Sequence, residues 1–87
     1  MRMRKKHRNT LRAVFADPVR SSVLWSDIEA MLVAAGAEIS EGRGSRLRVS
    51  LKGVDAVFHR PHPRKEADKG TVKSIRRFLI EAGVKSR

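Results

Sequence analysis

Hydrophobic positions along the chain change period twice, and each change marks a new element. Leu11, Val14 and Phe15 share one side of a short helix from Thr10, its N-cap, to Ala16, and Asp17-Pro18 ends it. Ser21-Ser22 reads as linker. Trp25, Ile28, Leu32 and Ala35 then repeat at helical spacing, with Gly36 as the stop. Ser26-Asp27-Ile28-Glu29 has the form of a capping box at the start of that helix. From Ala37 the period falls to two. Ala37–Glu41 forms a short strand, and Gly42-Arg43-Gly44 turns the chain. Arg46–Lys52 alternates strictly, with Leu47, Val49 and Leu51 inward and Arg46, Arg48, Ser50 and Lys52 outward. Lys52-Gly53 makes a hairpin into a strand over Val54–His59, where Ala56 and Phe58 share one face and Val57 and His59 the other. After a loop stiffened by Pro61 and Pro63, Val72, Ile75, Leu79 and Ala82 form the core stripe of a last helix, Gly70–Ala82, stopped by Gly83.

The expected fold is therefore α+β: an α-β-β-β-α order preceded by a short extra helix. It divides into a basic disordered arm (residues 1–9), the short helix and its linker (10–24), and the main domain (25–87). With 87 residues the core is thin, and a deep cofactor pocket is not expected. Cysteine is absent, which removes disulfides, thiolate metal sites and a cysteine nucleophile. No apolar run is long enough for a signal segment or a membrane span, so the expectation is a soluble, cytoplasmic protein.

Charge changes the picture most. Twenty Lys and Arg against nine Asp and Glu leave a net +11, and the excess is segregated. Residues 1–8 hold five basic and no acidic residues, residues 9–41 two basic and five acidic, and residues 42–87 thirteen basic and four acidic. That distribution is the electrostatic footprint of a nucleic-acid binder. Lys69, Lys73, Arg76 and Arg77 line one side of the last helix, next to a strand face that is basic at Arg46, Arg48 and Lys52. Charge runs are commonly just solvated faces, but two adjoining basic faces favour a phosphate-binding surface. Trp25, Phe15, Phe58 and Phe78 all fall at core positions and tyrosine is absent, so base stacking is disfavoured. The order and the cationic last helix fit the shape-reading logic of double-stranded RNA-binding domains. A DNA-reading helix is the weaker alternative, because Gly70–Ala82 contains no Asn or Gln.

Histidine supplies the only groups suited to proton transfer near neutral pH. His7 lies in the basic arm, His59 ends an outward strand face, and His62 sits between two prolines that fix its backbone. Either of the latter two can assist attack of a ribose 2′-hydroxyl on its phosphate. No metal-ligand spacing occurs, and no metal or cofactor is expected.

From Trp25 to Val84 the chain resembles the HicA family, the toxin half of a bacterial toxin–antitoxin pair. The match is carried by Trp25-Ser26-Asp27-Ile28-Glu29, by Gly44-Ser45, by His62-Pro63-Arg64-Lys65-Glu66, and by Lys69-Gly70-Thr71-Val72-Lys73-Ser74-Ile75 through Ala82-Gly83. The resemblance implies a double-stranded-RNA-binding-like fold, metal-independent cleavage of mRNA, and neutralisation by a HicB-type antitoxin. It also implies a catalytic histidine directly after Gly-Ser, where this chain has Arg46. An arginine stays protonated and cannot act as a base, though it can hold a phosphate. The expected catalytic set is Arg46 with His59 or His62. Arg43, Ser45, Arg48, Lys52, Lys69, Lys73, Arg76 and Arg77 are the expected RNA contacts. The alternative is a non-catalytic RNA-binding module of the same fold. For the added arm and helix, RNA contact, dimerisation and antitoxin contact all stay open.

Overall fold

The strict alternation of residues 46–51 becomes a central strand in the computed structural model, which describes residues 3–61 and 64–84. The elements, in order, are α1 (Lys5–Val14), β1 (Val23–Leu24), α2 (Trp25–Ala34), β2 (Glu38–Glu41), β3 (Arg46–Leu51), β4 (Val54–His59), β5 (Glu66–Ala67) and α3 (Lys69–Glu81). β2, β3 and β4 form an antiparallel sheet in that order, and β1 pairs with β5 in a separate antiparallel ribbon. The architecture is the expected α+β one, with helices on one side of a three-stranded sheet.

Register places Leu47 opposite Phe58, Val49 opposite Ala56 and Leu51 opposite Val54, so these side chains share the inner face. Leu47, Val49 and Leu51 are buried there with Ile28, Met31 and Leu32 of α2 and Val72, Ile75 and Leu79 of α3. Phe58 bridges the layers, with its ring 5.6 Å from Phe78 in edge-on contact and 6.5 Å from Trp25. The hairpin tip is Lys52-Gly53 as expected, and both residues have positive φ, 50° and 81°. Two consecutive positive φ values match the right-handed twist of the strands, which explains glycine at the second position.

Three local expectations are corrected. Ser26 does not cap α2: the helix begins at Trp25, with Leu24 in the cap position and no side-chain cap. The Trp25 N–H instead donates to the Lys65 carbonyl at 2.9 Å, because the β1–β5 ribbon brings that backbone alongside. Segments expected as linker and loop thus supply the start of α2. Lys52 leaves the strand, since β3 ends at Leu51. Finally, residues 5–9 are helical rather than a disordered arm, and Thr10 is a buried interior residue whose hydroxyl donates to the Lys6 carbonyl at 3.2 Å. A helix confined to residues 10–16 has too few turns to repay nucleation, whereas ten residues present Thr10, Leu11 and Val14 to the core.

Arg76 holds the C-terminal end of α1. Its guanidinium donates to the carbonyls of Val14 at 3.0 Å and Ala16 at 2.7 Å and lies 6.0 Å from the centre of the Phe15 ring. A cation on the last carbonyls of a helix satisfies orphan acceptors and complements the dipole. Asp68 caps α3, its carboxylate accepting the Thr71 N–H at 2.7 Å.

Two outcomes are expected. The Thr71 backbone N–H, and after it the Thr71 hydroxyl, hold the Asp68 carboxyl below its ordinary pKa. A lowered native pKa means the cap contributes above the unfolded-state value of about 3.9 and is lost as pH falls through the native one. Asp68→Ala is therefore expected to lower the melting temperature by about 4–8 °C at neutral pH, with the gap to the parent closing in strong acid. Arg76→Ala should free α1: trypsin should cut after Lys5, Lys6 and Arg8 about tenfold faster, since one charge-assisted bond is worth about 1.5–3 kcal/mol. Cleavage after Arg43, followed by mass spectrometry in the same digest, should not change.

Candidate nucleic-acid interface

The register that buries Leu47 and Phe58 turns alternate residues outward, and the outward face is ordered in rows. Arg46 stands opposite His59; Ser40, Arg48 and Val57 form the next row; Glu38, Ser50 and Asp55 form the third. Rows on one face are about 7 Å apart. Except for the half-buried Ser50, these residues are exposed. The face is thus polarised, with two arginines and a histidine at one end and two carboxylates at the other. A polyanion is drawn to the Arg46–His59 end and repelled from the Glu38–Asp55 end.

The backbone around that end is fixed by two bonds and an ionic node. The Gly42 N–H donates to the Arg46 carbonyl at 2.9 Å, and the Arg60 N–H donates to the Ser45 carbonyl at 2.9 Å. These bonds close the Gly42–Ser45 turn against the end of β4. The Arg60 side chain then reaches away from the outward face. Its Nε donates to Glu29 Oε2 at 3.0 Å, its Nη2 to Glu29 Oε1 at 3.2 Å, and its Nη1 to Glu41. Donation to Glu29 first and to Glu41 second raises the Arg60 pKa above its ordinary value. One guanidinium therefore ties α2, the end of β2 and the residue after His59 into a planar, bidentate arrangement that lysine cannot copy.

Beside His59, the edge of β4 and the start of α3 enclose an open groove of about 490 Å³ lined by Val57, Phe58, His59, Asp68, Gly70, Thr71 and Ser74. A second crevice shares Phe58 and Ser74 and continues to Arg77 and Glu81. Gly70, Ser74, Arg77 and Glu81 recur at three- and four-residue spacing, so one face of α3 forms this wall. Lys69, Lys73 and Arg77 are exposed at spacing four and run along it.

The residues expected from sequence do not all meet. Arg46 and His59 are cross-strand partners, with Ser45 and Arg48 adjacent. Arg43 is exposed in the turn between β2 and β3. Lys52 lies beyond the acidic row, about 20 Å along β3 from Arg46. Arg76 is separated from the other α3 cations because its guanidinium is engaged by α1. His62 lies outside the described residues. Sequence reading missed Arg60, whose partners are 31 and 19 residues away. It also missed the groove wall of Gly70, Thr71 and Ser74, whose small polar side chains at helical spacing were the available signal. Among the described residues, no three His, Asp or Glu side chains gather as a metal site, and no helix is long and apolar enough to cross a membrane.

A family model described as HicA toxin of bacterial toxin-antitoxin matches residues 25–84, which include every element from α2 to α3. No curated protein and no solved structure matches the chain.

The ionic node makes one expectation measurable. Arg60→Met should speed hydrogen exchange at the Gly42 amide several-fold while the Val49 amide, inside the sheet, keeps its protection. Unchanged exchange at Gly42 would mean that the node does not steady the turn.

Proposed function

The chain belongs to the HicA toxin family and is the toxin of a bacterial toxin–antitoxin system; on that premise we propose that it is a metal-independent endoribonuclease acting on mRNA and neutralised by a HicB-type antitoxin. The observation that carries this reading is the cross-strand pair Arg46–His59, exposed at the cationic end of the sheet.

The chemistry follows from the residue types. Arginine cannot take up a proton near neutral pH, so Arg46 holds the scissile phosphate and stabilises the negative charge that grows on its oxygens. The neutral imidazole of His59 accepts the proton of the ribose 2′-hydroxyl. The 2′-oxygen then bonds to phosphorus, the bond from phosphorus to the 5′-oxygen breaks, and the departing 5′-oxygen takes up a proton. The products are a 2′,3′-cyclic phosphate and a free 5′-hydroxyl. His62 is the second proton carrier in this reading. Ser45 supports Arg46 at the phosphate, while Arg43, Arg48, Lys69, Lys73 and Arg77 hold the flanking backbone. Lys52 and Arg76 drop out of the contact set: the first is beyond the acidic row, and the second is committed to α1.

A second reading has its own observation. Arg46 stands where the family resemblance implies a histidine, which suits a module that binds RNA without cutting it. Purified protein incubated with RNA across pH 5–9 separates the two. Cleavage leaving cyclic phosphate ends is expected, falling about 100-fold or more in His59→Ala while binding persists. RNA that is bound but intact at every pH would select the binding module. RNA neither bound nor cut would overturn both.

A further inference from the structure

Helix α1 lies ahead of the matched residues 25–84, so the family fold does not require its charge. Its inward side is accounted for by Thr10, Leu11 and Val14 in the core and by the Arg76 clamp. On its outward side, every exposed position from Lys5 to Arg12 is polar or cationic, and Arg8 donates to the Met3 carbonyl at 2.9 Å. No acidic residue occurs before Asp17. These cations gather toward the N-terminal half of the helix, where its dipole opposes positive charge, and the first turn holds no carboxylate to offset them. Selection for helix stability does not produce that distribution. Across an adjoining groove stand Arg20 and Ser22, facing Lys6 and Asn9, with Asp27 as the one carboxylate in the lining.

We infer that the outward side of α1, together with Arg20, is a second surface for the RNA phosphate backbone, separate from the Arg46–His59 end of the sheet. This rests on the RNA reading above and adds to it where the RNA is held. α1 packs on α2, α3 and β1, so its exposed side belongs to the helical side of the molecule, whereas the Arg46 face looks away from the helices. An RNA strand touching both must pass around a body of 33 × 28 × 20 Å. Charge decides for RNA over a protein partner. Protein interfaces take their energy from buried aromatic and apolar anchors; the exposed positions of α1 offer none, and the adjoining groove adds Leu24, an aliphatic side chain without an aromatic neighbour in the lining. Lysine, arginine and asparagine without such anchors suit phosphate and sugar contacts that carry no sequence information.

The test uses the full chain in a His59→Ala background and measures anisotropy of a labelled oligoribonucleotide against salt. Combined Lys5→Gln, Lys6→Gln, Arg8→Gln and Arg20→Gln should weaken binding about tenfold or more and reduce the salt slope by about 2–4, with unchanged circular dichroism. Glutamine keeps helix propensity at Lys5, Lys6 and Arg8, and Arg20 lies outside the helices and strands at an exposed position, so folding is preserved. Combined Arg46→Gln and Arg48→Gln reports on the sheet site independently. Weakening by the sheet pair alone would overturn the α1 surface and leave the RNA reading standing. A parent protein that does not bind RNA would overturn both. A polyglutamate chain that competes as well as RNA at equal charge would replace RNA with an acidic protein partner.

Discussion

In the β3–β4 pair, Leu47 faces Phe58 on the inner side and Arg46 faces His59 on the outer side, and one hydrogen-bond register sets both. Side chains alternate along a strand, so a slip of one residue would expose Leu47 and Val49 and bury Arg46 and Arg48. Burial of the three inward residues of β3 at 0–2% exposure makes that slip prohibitive. The Lys52-Gly53 turn and the Phe58 contacts with Trp25 and Phe78 lock the same register from either end. The chemistry on the outer face is thus placed by hydrophobic packing on the inner one.

The chain's cations divide by task once their partners are known. Arg60 and Arg76 are structural: the first joins α2, β2 and the end of β4 through two carboxylates, and the second closes α1 through two carbonyls. Both are half-buried, and both act as planar forks with several donors. The exposed cations Arg46 and Arg48 of β3 and Lys69, Lys73 and Arg77 of α3 stand instead on the outward faces. A net +11 repels itself in the folded state, and that cost is understandable where a polyanion offsets it. The polarity of the sheet face sharpens the point, because Glu38 and Asp55 confine the attraction to the end that holds His59.

Much of this was legible in the sequence where the cause is local. Alternation in residues 46–51 and 54–59 identified both strands and the face of each side chain, and the apolar stripe of α3 marked its buried side. What required the fold was pairing at a distance. Glu29 reads as half of a capping box, but it belongs to Arg60; Arg76 reads as one more cation on a stripe, but it belongs to α1. The β1–β5 ribbon was hidden because two-residue strands carry no periodic signal. The pairing of Arg46 with His59 was latent in the hairpin: counting outward from Lys52-Gly53 leads to it, although charge and family resemblance alone do not. Arg46 itself marks where resemblance and residue chemistry part: the resemblance implies a histidine there, whereas an arginine can hold a phosphate but cannot carry a proton near neutral pH.

We propose that RNA is held at the Arg46–His59 end of the sheet and along the adjoining wall of α3. Backbone amide shifts recorded while a 2′-deoxy-blocked, uncleavable RNA oligonucleotide is added address this directly. The largest shifts are expected at Ser45, Arg46, Arg48, His59, Thr71 and Ser74, with Glu38, Asp55 and Lys52 unmoved. Shifts centred on the Glu38–Asp55 row, or spread evenly over every exposed cation, would contradict it.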